Sequence, residues 1–281
     1  MFTRVTLISL VLLCLVLLFS GCTKKVTEVY ESPELIDFVY VKGGTFNNGV
    51  ADVKLSSFLI SRREVTQNEY WALLGGNPAE FQNVVNAPMN NITWFDCIIF
   101  CNQLSERDGL QPCYSYADLG TDMENWPEKW EYNYANHLMI RCNWAADGYR
   151  LPSEMEWLYA AKGGERSMGY NYSGSYYPYP VAWFSGNAGN TVHTVCTKAA
   201  NELGLFDMSG NVVEFCWDIY ALLPDSSQTN PHGPSSGDTR VLRGGAYSSP
   251  SEDINLTRRF YAMATSVNNT LGFRLCRTRI D

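Results

Sequence analysis

Two short, glycine-marked strand patterns close this chain, and a long stretch with no period lies between them. Val241-Leu242-Arg243-Gly244-Gly245 and Leu271-Gly272-Phe273-Arg274-Leu275 read as strands. Their apolar residues run on or alternate, and the glycines mark places where another backbone comes close. Residues 246–270 mix Ser, Asp, Asn, Phe, Tyr, Arg and Met without a helical or strand repeat, the pattern of an exposed loop. A fold for this chain must clamp both ends of that loop within Arg240–Arg277 and leave its middle open. The 22 Gly, 8 Trp and 17 Tyr agree, pointing to a loop-rich, aromatic-rich fold rather than a helical bundle.

The N-terminus is read as a targeting segment. Arg4 supplies a minimal positive region, and Leu7–Leu18 is an apolar run of 12 residues. That is short of the ~20 residues a membrane span needs. Phe19-Ser20-Gly21-Cys22 resembles a bacterial lipobox with Phe in place of the usual Leu, which makes Cys22 the acylated first residue of the mature chain. An ordinary signal peptide cut nearby is the alternative. Residues 1–22 are thus a lipoprotein leader, the polar 23–34 a tether, and 35–281 the folded part. The compartment expected is the bacterial cell envelope, with a lipid anchor in the membrane and exposure on the outer membrane.

With 281 residues, 46% of them hydrophobic, the chain can bury a large core. A formal charge of −8 argues against nucleic acid as a partner, because phosphate binding calls for a basic face. Beyond Cys14 and Cys22 there are seven cysteines: Cys97, Cys101, Cys113, Cys142, Cys196, Cys216 and Cys276. The odd number leaves at least one free or paired between chains. Cys97 and Cys101 share one helix face, but no Cys-x-x-Cys or His pair completes a metal site, and buried thiols are the better reading.

Three helix starts are written plainly. Thr66 with Glu69, Thr93 with Asp96 and Ser153 with Glu156 have capping-box spacing, and Gly75-Gly76, Gly109 and Gly163-Gly164 stop the helices. Phe38–Phe46 reads as a strand paired with Val53–Ile60, residues 110–146 as an inserted hairpin or long loop, and Gly169–Pro180 as a surface loop.

Arg63-Glu64-Val65-Thr66, Gly148–Trp157, Gly204–Glu214, Arg243-Gly244-Gly245 and Gly272-Phe273-Arg274 occur in one order across nearly all of the mature chain. Together they resemble the formylglycine-generating-enzyme (sulfatase-modifying-factor) family. The resemblance implies an α+β, C-type-lectin-like fold of that family's loop-rich type, with short strands and a few helices. It also implies a calcium ion held by the side chains of Asp207 and Glu214 and the carbonyls of Gly210 and Val212, oxygen donors that suit a hard cation. The bland alternative is that Asp207 and Asn211 only shape a turn. The family's copper- and oxygen-dependent enzymes carry two cysteines after Arg-Gly-Gly; the matching positions are Ser249 and Ile254, which cannot bind Cu(I). No copper and no catalytic residue are therefore expected.

In many family members this loop is rich in asparagine, and this chain carries Tyr247, Ser248, Ser249, Asp253, Phe260, Tyr261, Ala262 and Ser266 there, with Asn268 and Asn269 retained. Codons for the residues that replace Asn arise from an Asn codon by changes at its adenines. That pattern resembles the variable proteins of diversity-generating retroelements, and it makes these positions a variable ligand-binding face. Arg243, Arg259 and Arg274 are its expected framework. A protein or glycan ligand is expected, with protein favoured because Tyr, Ser and Asn suit adaptable contacts. An enzyme with altered chemistry and a structural envelope lipoprotein are the alternatives.

Overall fold

The computed structural model describes residues 36–279. The leader, Cys22 and the tether lie outside the described residues. The first strands are β1 (Phe38–Val41), β2 (Gly44–Asn47), β3 (Asp52–Leu55) and β4 (Phe58–Ser61). Sequence alone suggests two long partners here, but each is broken in two: β1 pairs antiparallel with β4 and β2 with β3. Gly43 sits at the break. A Cβ there would lie 2.4 Å from the Leu55 carbonyl oxygen, so any side chain would force the crossing backbones apart.

Helices α1 (Gln67–Leu74), α2 (Trp94–Arg107) and α3 (Glu154–Ala161) each open on a reciprocal capping box, from Thr66, Thr93 and Ser153. Each box satisfies two amides that the first turn leaves unpaired. Gly75 ends α1 in left-handed backbone at φ 72°. Between α2 and α3 come β5 (Tyr114–Tyr116), β6 (Ile140–Cys142) and β7 (Tyr149–Arg150). The first two form an antiparallel hairpin, whose loop folds Trp126 and Trp130 edge-on at 4.7 Å and brings Trp130 to 5.2 Å from Phe95 of α2.

The C-terminal half adds β8 (Val213–Ile219), β9 (Gln228–Thr229), β10 (Arg240–Arg243), β11 (Phe260–Ala262), β12 (Leu271–Gly272) and β13 (Cys276–Thr278). Two four-stranded sheets result, ordered β1-β4-β13-β7 and β11-β10-β8-β12. The last strand of the chain is therefore an interior strand of the first sheet, between β4 and β7. In the second sheet β12 runs parallel to β8, and β11 is an edge.

That second sheet separates two apolar clusters by strand alternation. Phe215 and Leu242 join the aromatic face of α2 in one; Cys216 and Val241 join Trp157 and Leu158 of α3 in the other. Each large side chain buried this way contributes about 1.5–3 kcal/mol. The seven cysteines 97–276 are all unpaired thiols, with Cys97 and Cys101 buried on α2. Among the described residues no helix is long and apolar enough to cross a membrane.

Candidate functional site: a clamped C-terminal loop

Four arginines hold the loop, with Arg240, Arg243 and Arg274 buried and Arg259 half-buried. Arg274 and Glu214 are both fully buried, and the guanidinium grips the carboxylate at 2.6 and 2.7 Å. Trp157 Nε1 donates to the same carboxylate at 2.7 Å, and Arg274 also donates to the carbonyls of Ser61 and Phe206. One side chain thus ties the end of the loop to β4, to α3 and to β8.

Glu154, in the first turn of α3, takes two more. Arg259 donates to both its oxygens at 2.6 and 2.7 Å and to the Ala221 carbonyl. Arg243 Nε lies 2.9 Å from Glu154 Oε1 as an ion pair whose N–H is not aligned for a hydrogen bond. Its Nη1 donates to the carbonyls of Leu256 and Arg258, so the loop backbone rests on it. A bidentate fork of this kind fixes direction as well as charge.

Arg240 is packed 3.8 Å over the Trp94 ring, and burial pulls its guanidinium down to about 9. It donates to Nδ1 and to the carbonyl of His137 and to the Trp217 carbonyl. Since Nδ1 accepts, the His137 proton sits on Nε2. Burial holds the imidazole down at about 4, and Arg240 adds to this. An unfolded His takes its proton near 6.5. Between those values the unfolded chain binds a proton that the native one refuses, so stability is lost as pH falls. Urea unfolding at pH 7 and pH 4.5 should show His137→Gln losing about 2 kcal/mol less than the parent. Equal losses would remove His137 as the cause.

The backbone of the loop is pinned from outside as well. The amides of Asn91, Trp94, Ser185 and the loop's own Leu256 and Tyr247 make bonds to Asn268, Ala264, Ser249, Asn171 and Asn211 carbonyls respectively. Ser248, Tyr261 and Asn268 are exposed, Tyr261 by 60%; Ser249, Asp253, Phe260, Ala262, Ser266 and Asn269 are half-buried. Several have local partners. Ser249 Oγ accepts from the Ala246 amide, Asp253 pairs with Arg258, Asn268 accepts from the Thr270 amide and hydroxyl, and Asn269 donates to Glu80.

Two expectations are corrected here. Tyr247 is not on the open face: it is 3% exposed and packs edge-on against Phe81 at 5.4 Å. Residues 260–262 do not present one surface either. They form edge strand β11, where Phe260 and Ala262 pack towards the α2 cluster while Tyr261 turns the other way onto Tyr220 at 4.7 Å. Ile254, by contrast, is fully buried with Val181, Ala182 and Phe184.

Of the four residues that the resemblance assigns to calcium, Glu214 does not fit that ion. Both Glu214 oxygens are already held by Arg274, and a cation there would face a guanidinium at 2.6 Å. Asp207 Oδ2 accepts from the Cys196 amide, while its Oδ1 is buried without a partner. Gly210 approaches Trp183 so closely that a Cβ would lie 2.1 Å from the Trp183 carbonyl, and the Val212 amide goes to Glu64. Glu64 is the member that sequence reasoning missed. It accepts from Val212 and Asn211, and burial, then Asp207 and Glu214, push its carboxyl well up. Burial likewise raises Asp207 to about 6. The cluster is a hydrogen-bonded knot around Arg274 rather than an oxygen cage. Differential scanning calorimetry at pH 8 should give the same Tm with millimolar calcium as with EDTA; a rise of several degrees with calcium would return the ion to Asp207.

The missed residues share one signal. Glu64 and Glu154 lie within the Arg63–Thr66 and Gly148–Trp157 motifs, and a carboxylate in a buried apolar run needs a buried donor or cation. Their partners, Arg259 for Glu154 and Asn211 for Glu64, lie 105 and 147 residues away and could not be assigned from sequence.

Comparison with known proteins agrees with this architecture. The chain is 32% identical to "Chaperone protein LppX" of Paenibacillus barcinonensis over 86% of its length and 90% of that protein. It is also 32% identical to the formylglycine-generating enzyme of Streptomyces coelicolor, across 50% of this chain and 49% of the enzyme. Among solved structures, Treponema denticola variable protein 1 superposes with a TM-score of 0.79 at 31% identity, covering 86% of this chain and 95% of that one. The fold is thus the loop-rich, C-type-lectin-like α+β fold of these relatives. Residues 24–279 match the sulfatase-modifying factor enzyme 1-like domain, and the chain belongs to that family.

Proposed function

We propose that this chain is a non-catalytic, lipid-anchored envelope protein that binds a ligand on its C-terminal face and varies that face in sequence. The observation that carries the reading is the division of labour in the loop. Arginine–carboxylate pairs and backbone bonds fix its course, while Ser248, Tyr261 and Asn268 are exposed on it. A surface that must accept many sequences needs this separation of support from contact. The likeness to Treponema denticola variable protein 1 supports it. The positions matching the family's catalytic cysteines support the absence of chemistry: Ser249 is used in the 246–249 turn and Ile254 in the core. Display on the outer surface rests on the lipobox-like Phe19–Cys22.

The test is genomic first. A near-copy of the coding segment for residues 245–274, differing at adenines and lying beside a reverse-transcriptase gene, is the expected finding; a neighbourhood with neither sinks the diversification reading. For the enzymatic alternative, a cysteine peptide incubated with this chain, copper and oxygen should yield no aldehyde by mass spectrometry. A second reading follows from the likeness to "Chaperone protein LppX". Under it the same face holds an unfolded client, and the chain would suppress aggregation of reduced lysozyme at equimolar ratio.

A further inference from the structure

Against the variable loop lies another, made of residues 168–179, whose composition is that of a binding surface. Met168, Tyr176, Tyr177 and Tyr179 are 54–74% exposed. Its underside is fixed. Ser173 is buried and donates to the Ala161 carbonyl and, through its amide, to Ser209 Oγ, while Asn201 donates to its hydroxyl. Tyr172 and Ser175 exchange backbone bonds, and a Cβ on Gly174 would meet Asn201 Cα at 2.9 Å. Tyr170 and Tyr176 meet edge-on at 4.8 Å, as do Tyr179 and Phe184 at 5.1 Å. Tyrosines held this way offer contact area with little ordering left to lose.

This loop is continuous with the variable one. Leu256 donates to the Asn171 carbonyl, and Tyr172 packs on the cluster containing Ile254. We propose that residues 168–179 are the constant half of the binding face, a tyrosine platform that every loop sequence shares, and that its partner is a folded protein surface. The inference rests on the ligand-binding reading above. A protein rather than a glycan is favoured by the state of the nearby indole. His193 stacks on Trp183 at 3.7 Å and Lys198 Nζ lies 4.0 Å from its centre, which leaves neither ring face open. In the edge-on pairs Tyr170–Tyr176 and Tyr179–Phe184 one ring's face is covered by the other's edge, which reduces the flat aromatic area on which a sugar would stack.

The experiment displays the full chain on yeast with Ser248, Ser249, Asp253, Tyr261 and Ser266 randomised, and selects binders to hen lysozyme as the probe. Tyr176→Ser, Tyr177→Ser and Tyr179→Ser are then combined in several clones with unrelated loops. The expected result is an affinity loss of about tenfold or more in every clone. Clones that keep their affinity overturn the platform while leaving the variable face intact; a library that yields no lysozyme binder sinks the ligand-binding reading itself. Tyr177→Ser alone repeats the measurement if the triple variant folds poorly. Binding of the parent chain to immobilised chitohexaose, lost in the Tyr variants, would make this a saccharide site and overturn the proposal.

Discussion

Arg274→Met should remove most of this protein's stability, by about 3–5 kcal/mol in urea unfolding at pH 7. The size follows from what remains behind. Glu214 is fully exposed to neither solvent nor another cation, and Trp157 Nε1 would be its one remaining close donor. A domain of this kind has a total stability of about 5–15 kcal/mol, so the variant sits near its unfolding threshold. The carbonyls of Ser61 and Phe206 lose their donor at the same time. Replacing both partners removes the buried charge, so Arg274→Met with Glu214→Leu should recover more than half of the loss. A single variant within 1 kcal/mol of the parent would show that Glu64 or Asp207 can relieve Glu214 by taking up a proton, since all three carboxyls share that knot.

Glu154→Gln is expected to cost about 3–5 kcal/mol, but its signature is positional. The change leaves buried Arg243 and half-buried Arg259 beside each other without their shared anion. Asp218, which accepts from the Glu154 amide, is the nearest candidate to compensate. Hydrogen exchange should quicken first at residues 256–262, because Arg243 holds the Leu256 and Arg258 carbonyls and Arg259 precedes β11. Tyr261→Ala, by contrast, should stay within about 0.5 kcal/mol, as exposed substitutions do. If Glu154→Gln leaves exchange in that segment unchanged, the arginines are not what fixes the loop.

The elements that could be read from sequence are those set by neighbours along the chain. The three capping boxes depend on residues three apart, and α1, α2 and α3 start where Thr66, Thr93 and Ser153 put them. The glycine-marked ends of the loop likewise became β10 and β12. What depends on distant partners was not legible. Nothing local says that Phe38–Phe46 splits between two sheets, because the cause is Leu55 crossing Gly43. Codon reasoning placed Tyr247 on the open face, yet burial is decided by Phe81, more than a hundred residues upstream. The Asp207–Glu214 turn has the donors for calcium; the guanidinium that occupies Glu214 comes from the far side of the C-terminal loop.

The place of β13 gives the fold a dependence on reading frame. It lies inside the sheet that β1 and β4 begin, and Arg274, just before it, closes the knot at Glu214. Strand β13 and Arg274 are therefore encoded downstream of the segment whose codons are proposed to change. A substitution within residues 246–270 leaves that code intact. A frameshift or stop in the same stretch deletes β12, Arg274 and β13 together, and with them an interior strand of the first sheet. Under the proposed diversification, in-frame changes to the loop keep these elements and shifts of frame do not.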